Sequence, residues 1–258
     1  MIQARTFAFV AGVNQYDSFG NLDFGTVKGF SFQYDLRRTG NVSANINYTL
    51  QFADGTGSDA NSARGLTSRG NIRTLSPLSF DERHRIVASI DYRYASGRNY
   101  NGPRWFGKNV FANAGINFQT IAVSGRPFTS RQTPVTFGGA GFEGAINGAR
   151  QPWNFTINAR IDKSFSLSPS EKLPLDVNVY LRVSNLLNTQ NVVNVYSASG
   201  SAEDDGFLLS TFGADAKNAV VQQGRDLDAY LSAYQWAVTN PDFFTLPRRI
   251  YLGAIVNF

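Results

Sequence analysis

Two long runs of strictly alternating residues, joined by a short turn, constrain the fold of this chain more than any other feature. The runs span 29–37 and 42–52, with Arg38-Thr39-Gly40-Asn41 between them. Period-two alternation is typical of a β-strand with one apolar and one polar face. Globular strands usually continue for about 5–6 residues. The second run is about twice that length, as a strand that crosses a bilayer at a tilt must be. Its polar positions are small amides and hydroxyls, which suit the inner wall of a water-filled barrel.

The same alternation recurs along the chain and predicts about eight long strands. The predicted strands are 2–10, 25–37, 42–53, 83–94, 110–119, 154–162, 175–184 and 249–258. The facing of the first strand is ambiguous, and residues 15–23 are predicted to be loop. The connections alternate between long and short, with long ones at 54–82, 125–153 and 185–246. Long external loops and short periplasmic turns are typical of an outer-membrane barrel.

Charged and aromatic residues sort in the way that a bilayer requires. Most strand charges fall on the polar face, and the exceptions, Lys28, Lys108, Lys163 and Arg248, lie at strand ends, where a long side chain can reach the interface. An Arg or Lys that faces lipid at the midplane costs about 2–4 kcal/mol. Aromatic residues of the apolar face lie near predicted strand ends, at the outer rim (Phe30, Phe52, Phe155) and at the inner rim (Tyr92, Tyr94, Phe165, Phe258). Such girdles mark both membrane interfaces.

One helical stretch is predicted, over 226–238 in the last long loop. Apolar residues recur there at helical spacing, Asp226 can cap the start, and Asn240-Pro241 ends it. The helix is expected to fold over the barrel mouth. It would either help to shape a ligand site or pack the loop on itself, and the residues concerned are Tyr196, Tyr230, Tyr234 and Trp236.

Composition excludes several functional classes. The chain has no cysteine and one histidine, His84. It therefore lacks the ligands of a thiolate metal site and most of the residues from which catalytic triads are built. We therefore expect no enzyme, no metal and no cofactor. The net charge of +5 is scattered rather than clustered, which argues against nucleic-acid binding. No run of 18 apolar residues predicts a transmembrane helix. The first residues lack a secretory signal, so either the protein is not exported or Met1 is not its natural start.

Three segments carry a resemblance to a known family. They are NLDFGTVKGFSFQYDLRRTGNVSANINYTLQFADGTGSD, PWNFTINARIDKSF and NPDFFTLPRRIYLGAIVNF. They resemble the C-terminal part of TonB-dependent outer-membrane receptors, especially the Oar-like branch and more distantly the SusC-like group. The resemblance covers nearly all of 1–258, and the last strand, which ends in Phe258, is similar to the signal read by the barrel-assembly machinery.

The resemblance implies a fold, a location and partners. It implies a segment of an antiparallel transmembrane barrel in a Gram-negative outer membrane, with extracellular loops and a periplasmic C-terminus. In that family the barrel has 22 strands, a plug domain fills it, and periplasmic TonB drives uptake of a bulky nutrient. This chain would supply only the last eight strands or so, as a fragment of a receptor or a piece of a split one, without plug or TonB box.

The polar-face arginines are the candidate lumen residues. They are Arg85, Arg93, Arg160, Arg182 and Arg249. By resemblance they would contact the plug or line the substrate path; the simpler interpretation is that they pair with Asp91, Asp162 and Asp176 on neighbouring strands. Two alternative functions stay open. One is a complete eight-stranded barrel with a structural or adhesion role, and the other is a soluble β-sandwich that binds glycans.

Overall fold

The protein is described by a computed structural model. The described parts are the backbone of 2–10 and 13–21 and all of residues 24–59, 74–134, 138–139, 141–167 and 175–258. These parts form antiparallel β-sheets, and two α-helices lie in the last long loop. The predicted antiparallel β architecture is therefore confirmed.

A separate hairpin opens the chain. Strands β1 (Ile2–Val10) and β2 (Val13–Asn21) pair with each other and form their own two-stranded sheet. The prediction of a loop over 15–23 is wrong for 15–21, which belong to β2, while 22–23 lie outside the described residues. That stretch has no alternating apolar positions, but pairing with β1 gives its backbone groups the partners that they need, so a strand forms without the pattern.

Seven long strands and one short one build the main sheet. The remaining strands are β3 (Gly25–Thr39), β4 (Val42–Gly55), β5 (Ser76–Pro77), β6 (His84–Arg93), β7 (Ala114–Val123), β8 (Pro127–Phe128), β9 (Ala149–Arg150), β10 (Asn154–Ser166), β11 (Asp176–Ser184) and β12 (Arg249–Asn257). The main sheet has the order β12-β11-β10-β7-β6-β4-β3, with β5 added to the end of β4, while β8 and β9 pair with each other. Neighbours in the chain are thus neighbours in the sheet.

Antiparallel order sends all long connections to one end of the main sheet. The connections 56–83, 124–153 and 185–248 leave from the ends of β4, β7 and β11. The other end carries the turns after β3, β6 and β10. The predicted separation of long loops from shorter turns is confirmed.

The start of one strand differs from its prediction. Strand β7 begins at Ala114 and not at residue 110, because 110–113 form a turn in which Asn113 adopts φ 56° and the Ala114 N–H donates to Phe111 O. Asparagine is one of the few residues that tolerate this left-handed conformation.

The strand register places the alternating residues of all seven long strands on common faces. Most polar positions pair with polar positions, as in the row Asn45, Ser89, Gln119 and Asn158 across β4, β6, β7 and β10. Apolar exceptions on this face are Val87, Ile121, Val123 and Ile255. Apolar positions form parallel rows on the opposite side, which include Leu36, Ala44, Ile90, Phe118, Ala159, Val183 and Ile250. The main sheet therefore has a polar face and an apolar face.

No second layer covers the apolar face within the described part of the chain. Of eight buried hydrophobic residues among those described, only Ala53 and Ala159 belong to long strands. Large side chains of this face stay open to the surroundings, and Phe32 is 53% exposed, Ile161 51% and Leu252 79%. Within the described residues, the main sheet is therefore not one half of a two-sheet sandwich.

Two α-helices lie in the third long connection. Helix α2 (Leu227–Val238) confirms the predicted helix, and the Asp226 carboxylate caps it by accepting from the N–H groups of Asp228 and Ala229. The prediction of a single helix is wrong, because α1 (Thr211–Gln222) precedes it, capped by Ser210. No helix within the described ranges is long and apolar enough to span a membrane.

Candidate functional site

The three long connections pack together into one body, which we call the loop cap (the described residues of 56–83, 124–153 and 185–248). The Asn147 amide donates to Pro77 O at 2.7 Å and so joins the second connection to the first. The Arg131 N–H donates to Ser197 O at 2.9 Å and joins the second to the third. The cap therefore holds a defined position at one end of the polar face.

A buried carboxylate ties the loop cap to the main sheet. Asp81 is 1% exposed and accepts from the Ala53 N–H at 2.9 Å, at the end of β4. The Arg150 guanidinium forms an ion pair with the same carboxylate and also donates to Asp81 O at 2.8 Å. The Nε atom of Arg83 lies 3.5 Å from Asp81 Oδ2, the same oxygen that Arg150 contacts. A buried carboxylate needs such partners, because an unpaired one costs several kcal/mol.

Two asparagines anchor the third connection on β10. Asn191 is 3% exposed, and its side chain accepts from the Phe155 N–H at 2.7 Å and donates to Phe155 O at 2.9 Å. It thereby imitates a neighbouring strand. Asn185 is also buried, and its N–H donates to Asn158 Oδ1 at 2.9 Å. These contacts fix the base of the loop beside the polar face.

Two of the four predicted loop contact residues point into the loop. The Tyr196 hydroxyl donates to Val238 O at 2.6 Å, and the Tyr234 hydroxyl donates to Asp205 Oδ2 at 2.6 Å. Burial and the Asp205 carboxylate raise the pKa of both phenols. Both hydroxyls are thus occupied in packing the loop on itself.

The other two predicted loop residues differ in exposure. Tyr230 is partly buried, with its ring 6.3 Å from that of Tyr234. Trp236 is 81% exposed and projects from α2. Among the four predicted loop residues, Trp236 is therefore the most open to a ligand.

On the polar face, Arg93 and Asp162 form an ion pair across an intervening strand. Arg93 lies on β6 and Asp162 on β10, and the residue between them on β7 is Gly115. The guanidinium donates to both carboxylate oxygens, at 3.0 and 2.7 Å. A Cβ at Gly115 would lie 2.8 Å from the Arg93 guanidinium carbon, so glycine opens the path. Bidentate pairs of this kind are among the stronger polar contacts.

The remaining polar-face arginines do not follow the predicted pairing. Arg85 pairs with Glu82 at 3.0 Å instead of a strand aspartate. Arg160 donates to Asn178 Oδ1 at 3.1 Å, and its guanidinium carbon lies 4.4 Å from the centre of the Tyr180 ring. The expected pairing with a strand aspartate therefore holds for Arg93 alone among the five candidates.

Arg182 and Arg249 have no acidic partner within 4 Å among the described residues. Each lines a cavity on the polar face. A cavity of about 440 Å³ lies under the end of the third connection and includes Asn158, Leu246 and Arg249. A second one of about 200 Å³ continues along the sheet and includes Asn158, Arg160 and Arg182. Asn158 borders both, so the two cavities adjoin.

Six of the seven predicted rim aromatics are exposed, and Tyr94, just after β6, is half-buried. Phe30 is 59% exposed near the loop cap, and the C-terminal Phe258 is 98% exposed at the other end. Tyr92 and Tyr94 stack edge to face with ring centres 5.2 Å apart. His84 stacks between Tyr48 and Trp153 and shares a 3.0 Å hydrogen bond with the Tyr48 hydroxyl. The single histidine therefore serves in packing at the rim.

Comparisons of the chain with protein-family models, with curated proteins and with solved structures find no match. The geometry of the main sheet and of the loop cap therefore carries the functional argument.

Replacing Asp81 with Asn should loosen the loop cap. The amide keeps the shape but leaves Arg150 without its counter-charge, at a cost of about 3 kcal/mol in the free energy of unfolding. We expect faster proteolytic cleavage within 124–153, followed by mass spectrometry of the fragments. Glu82→Gln is the matched control, because its partners Arg85 and Arg126 are 52% and 62% exposed and exposed pairs contribute about 0–1 kcal/mol. Equal cleavage rates in both variants would contradict the role of Asp81.

Replacing Gly115 with Ala should break the bridge between β6 and β10. The added methyl group displaces the Arg93 guanidinium and leaves the buried Asp162 without it, which we expect to lower the free energy of unfolding by about 1–3 kcal/mol. Urea titration in detergent micelles, followed by tryptophan fluorescence, measures this loss. In an Arg93→Gln background the same substitution should cost little. A cost that is equal in both backgrounds would show that Gly115 acts on the backbone alone.

Proposed function

We propose that this chain forms part of the wall of a transmembrane β-barrel in a Gram-negative outer membrane. One observation carries the proposal. The apolar residues of seven long antiparallel strands lie in register on one face, and that face is exposed instead of buried against a second layer. Hydrocarbon is the surrounding that such a face requires, and water in a lumen is what the polar face requires.

Strand length fits this setting. The long strands contain 9 to 15 residues, and a strand tilted by about 45° needs about 9–11 residues to cross a bilayer. Exposed aromatic rings lie near both ends of the strands, as at Phe155 and Phe165 on β10. These rings would occupy the two interfaces.

Lys163 supports the same orientation. It is the one basic residue on the apolar side of β10, where its register partners are Ala114 and Val179. Its ammonium group does not point outward from the sheet, because it donates to Val110 O in the neighbouring turn. A cation that must sit beside hydrocarbon is expected to turn to the interface in this way.

The alternatives fit the structure less well. A soluble glycan-binding sandwich would bury the apolar face between two sheets, and the described residues supply no second sheet for it. A complete eight-stranded barrel would pair its first strand with its last, whereas β3 and β12 each pair on one side only among the described strands. Unpaired strand edges in lipid are costly, so we propose that further strands complete the wall.

The proposed role is uptake of a bulky extracellular nutrient. The loop cap would face the outside and the C-terminus the periplasm, where Phe258 would be read by the barrel-assembly machinery. By the resemblance in sequence, a plug domain and periplasmic TonB would act with the remaining strands. The polar face and its two adjoining cavities, beneath the cap, would line the substrate path.

A pair of adjacent single-cysteine variants tests the orientation of the sheet. The chain contains no cysteine, so Ser89→Cys on the polar face and Ile90→Cys on the apolar face each give one labelling site. With an environment-sensitive fluorophore in membranes that contain the protein, we expect lipid-borne nitroxide to quench the Ile90 label and aqueous iodide to quench the Ser89 label.

The contrast between these neighbours is the informative result, because they share one strand and one membrane depth. Equal quenching by iodide at both positions, or a chain that stays in solution without detergent, would rule out the proposed membrane wall.

A further inference from the structure

Two arginines face each other directly on the polar face. Arg160 on β10 and Arg182 on β11 are register partners. Residues opposite each other in an antiparallel pair have Cβ atoms about 4.5–5.5 Å apart, and like charges at such positions destabilise the sheet. A negative charge nearby would offset this repulsion.

Among the described residues, Asp162 interacts electrostatically with Arg160 and lies diagonally across from Arg182, but its oxygens are engaged elsewhere. The nearest carboxylate along β10 is Asp162, and its two oxygens already accept from Arg93, with a further bond from the Asn178 amide. The direct contacts of Arg160 are neutral, Asn178 Oδ1 and the Tyr180 ring. No ion pair within 4 Å among the described residues includes Arg160 or Arg182.

A third arginine lies within reach. Arg182 is the register partner of Tyr251 on β12, which places Arg249 two residues away as a diagonal neighbour. Diagonal Cβ atoms lie about 7–8 Å apart, within the range of long side chains. The adjoining cavities, of about 200 and 440 Å³, are lined by these three arginines. The side-chain amides of Asn117, Gln119 and Asn158 add neutral hydrogen-bond donors to the lining of the smaller cavity.

We propose that Arg160, Arg182 and Arg249 bind an anionic oxyacid group, a carboxylate or a phosphate, on the polar face. Guanidinium groups match the planar or tetrahedral oxygens of such anions and donate two hydrogen bonds at a time. The proposal rests on the proposed function only for the route by which a ligand arrives, and it deepens that function by naming an anionic ligand class. The anion is either free or a substituent of a larger molecule.

Inorganic phosphate is the probe that tests the site. Calorimetric titration of the full chain in detergent micelles should show saturable binding beyond that of sodium chloride at matched ionic strength. We expect Arg182→Gln to weaken the phosphate affinity at least about tenfold, because hydrogen bonds to a charged group are lost. Arg85→Gln is the matched control, since it removes the same charge from the same face on β6, where Arg85 pairs with Glu82 and lines neither cavity, and it should leave the affinity unchanged.

The stability of the variant gives an independent readout. Without phosphate, Arg182→Gln should unfold at a urea concentration no lower than that of the native chain, since a like-charge contact is removed. A marked loss of stability would mean that an acidic side chain of the protein already holds the arginine, and would overturn the proposal. Equal phosphate affinity in Arg182→Gln and the native chain would overturn it as well.

A second titration, with a hexose phosphate in place of inorganic phosphate, distinguishes the two sources of the anion. Equal affinities would assign the site to a free anion, and tighter binding of the ester would assign it to a substituent of a larger ligand. These titrations are made in detergent, so their failure leaves the fluorophore contrast between residues 89 and 90 intact. Loss of that contrast would in turn leave phosphate binding unaffected.

Discussion

The register of the main sheet is the constraint on which the rest of the structure depends. Because side chains alternate along each strand, a shift of one residue between two strands would bring a polar row onto the apolar face. The observed register avoids this across all seven long strands, so that Tyr34, Ile46 and Ala88 lie in one row and Asp35, Asn45 and Ser89 in the next. As a consequence, one face of the main sheet is unfavourable in water, and the other face is unfavourable in hydrocarbon.

The long strands bury few of their apolar side chains, unlike the strands of a globular domain. Among the described residues, Asp81, Asp162, Asp205 and Asn191 are buried, while large apolar residues such as Phe32 and Leu252 are open. Soluble monomers rarely expose continuous apolar patches larger than a few hundred Å². The polar interior is held by specific pairs, since each buried carboxylate has a hydrogen-bond donor from a distant segment, Arg150 for Asp81 and Arg93 for Asp162. The wall of a membrane barrel requires hydrogen-bonded polar groups on its inner side and apolar side chains on the side that contacts lipid.

Regular alternation made much of the fold predictable from sequence. It predicted the long strands of the main sheet, their common faces and the end of the sheet at which the long connections lie. Capping chemistry at Asp226 predicted the start of α2. The failures fall where that signal is absent. The sequence of β2 does not alternate, and α1 begins Thr-Phe-Gly, which places a glycine in its first turn.

The site was less predictable, because its contacts join residues far apart in the chain. The five arginines were found by their place on the polar face, but their partners depend on register. Gly115 carried no visible signal, since its role is to leave room for a side chain from β6. Asp81 and Asn191 lie in connections where no periodic pattern exists, although an Asp or Asn beside a strand end is a reasonable candidate for a backbone partner.

The width of the polar face bears on how large the proposed barrel must be. Eight strands close around an interior that their own side chains fill. Here the polar face carries several arginines and still leaves cavities of about 440 and 200 Å³ beside them, and the loop cap extends over strands from β4 to β12. Closing β3 directly onto β12 would give a seven-stranded ring, whose narrow interior the polar side chains would fill. A wider wall, completed by more strands, keeps the cavities open and gives both free edges a partner.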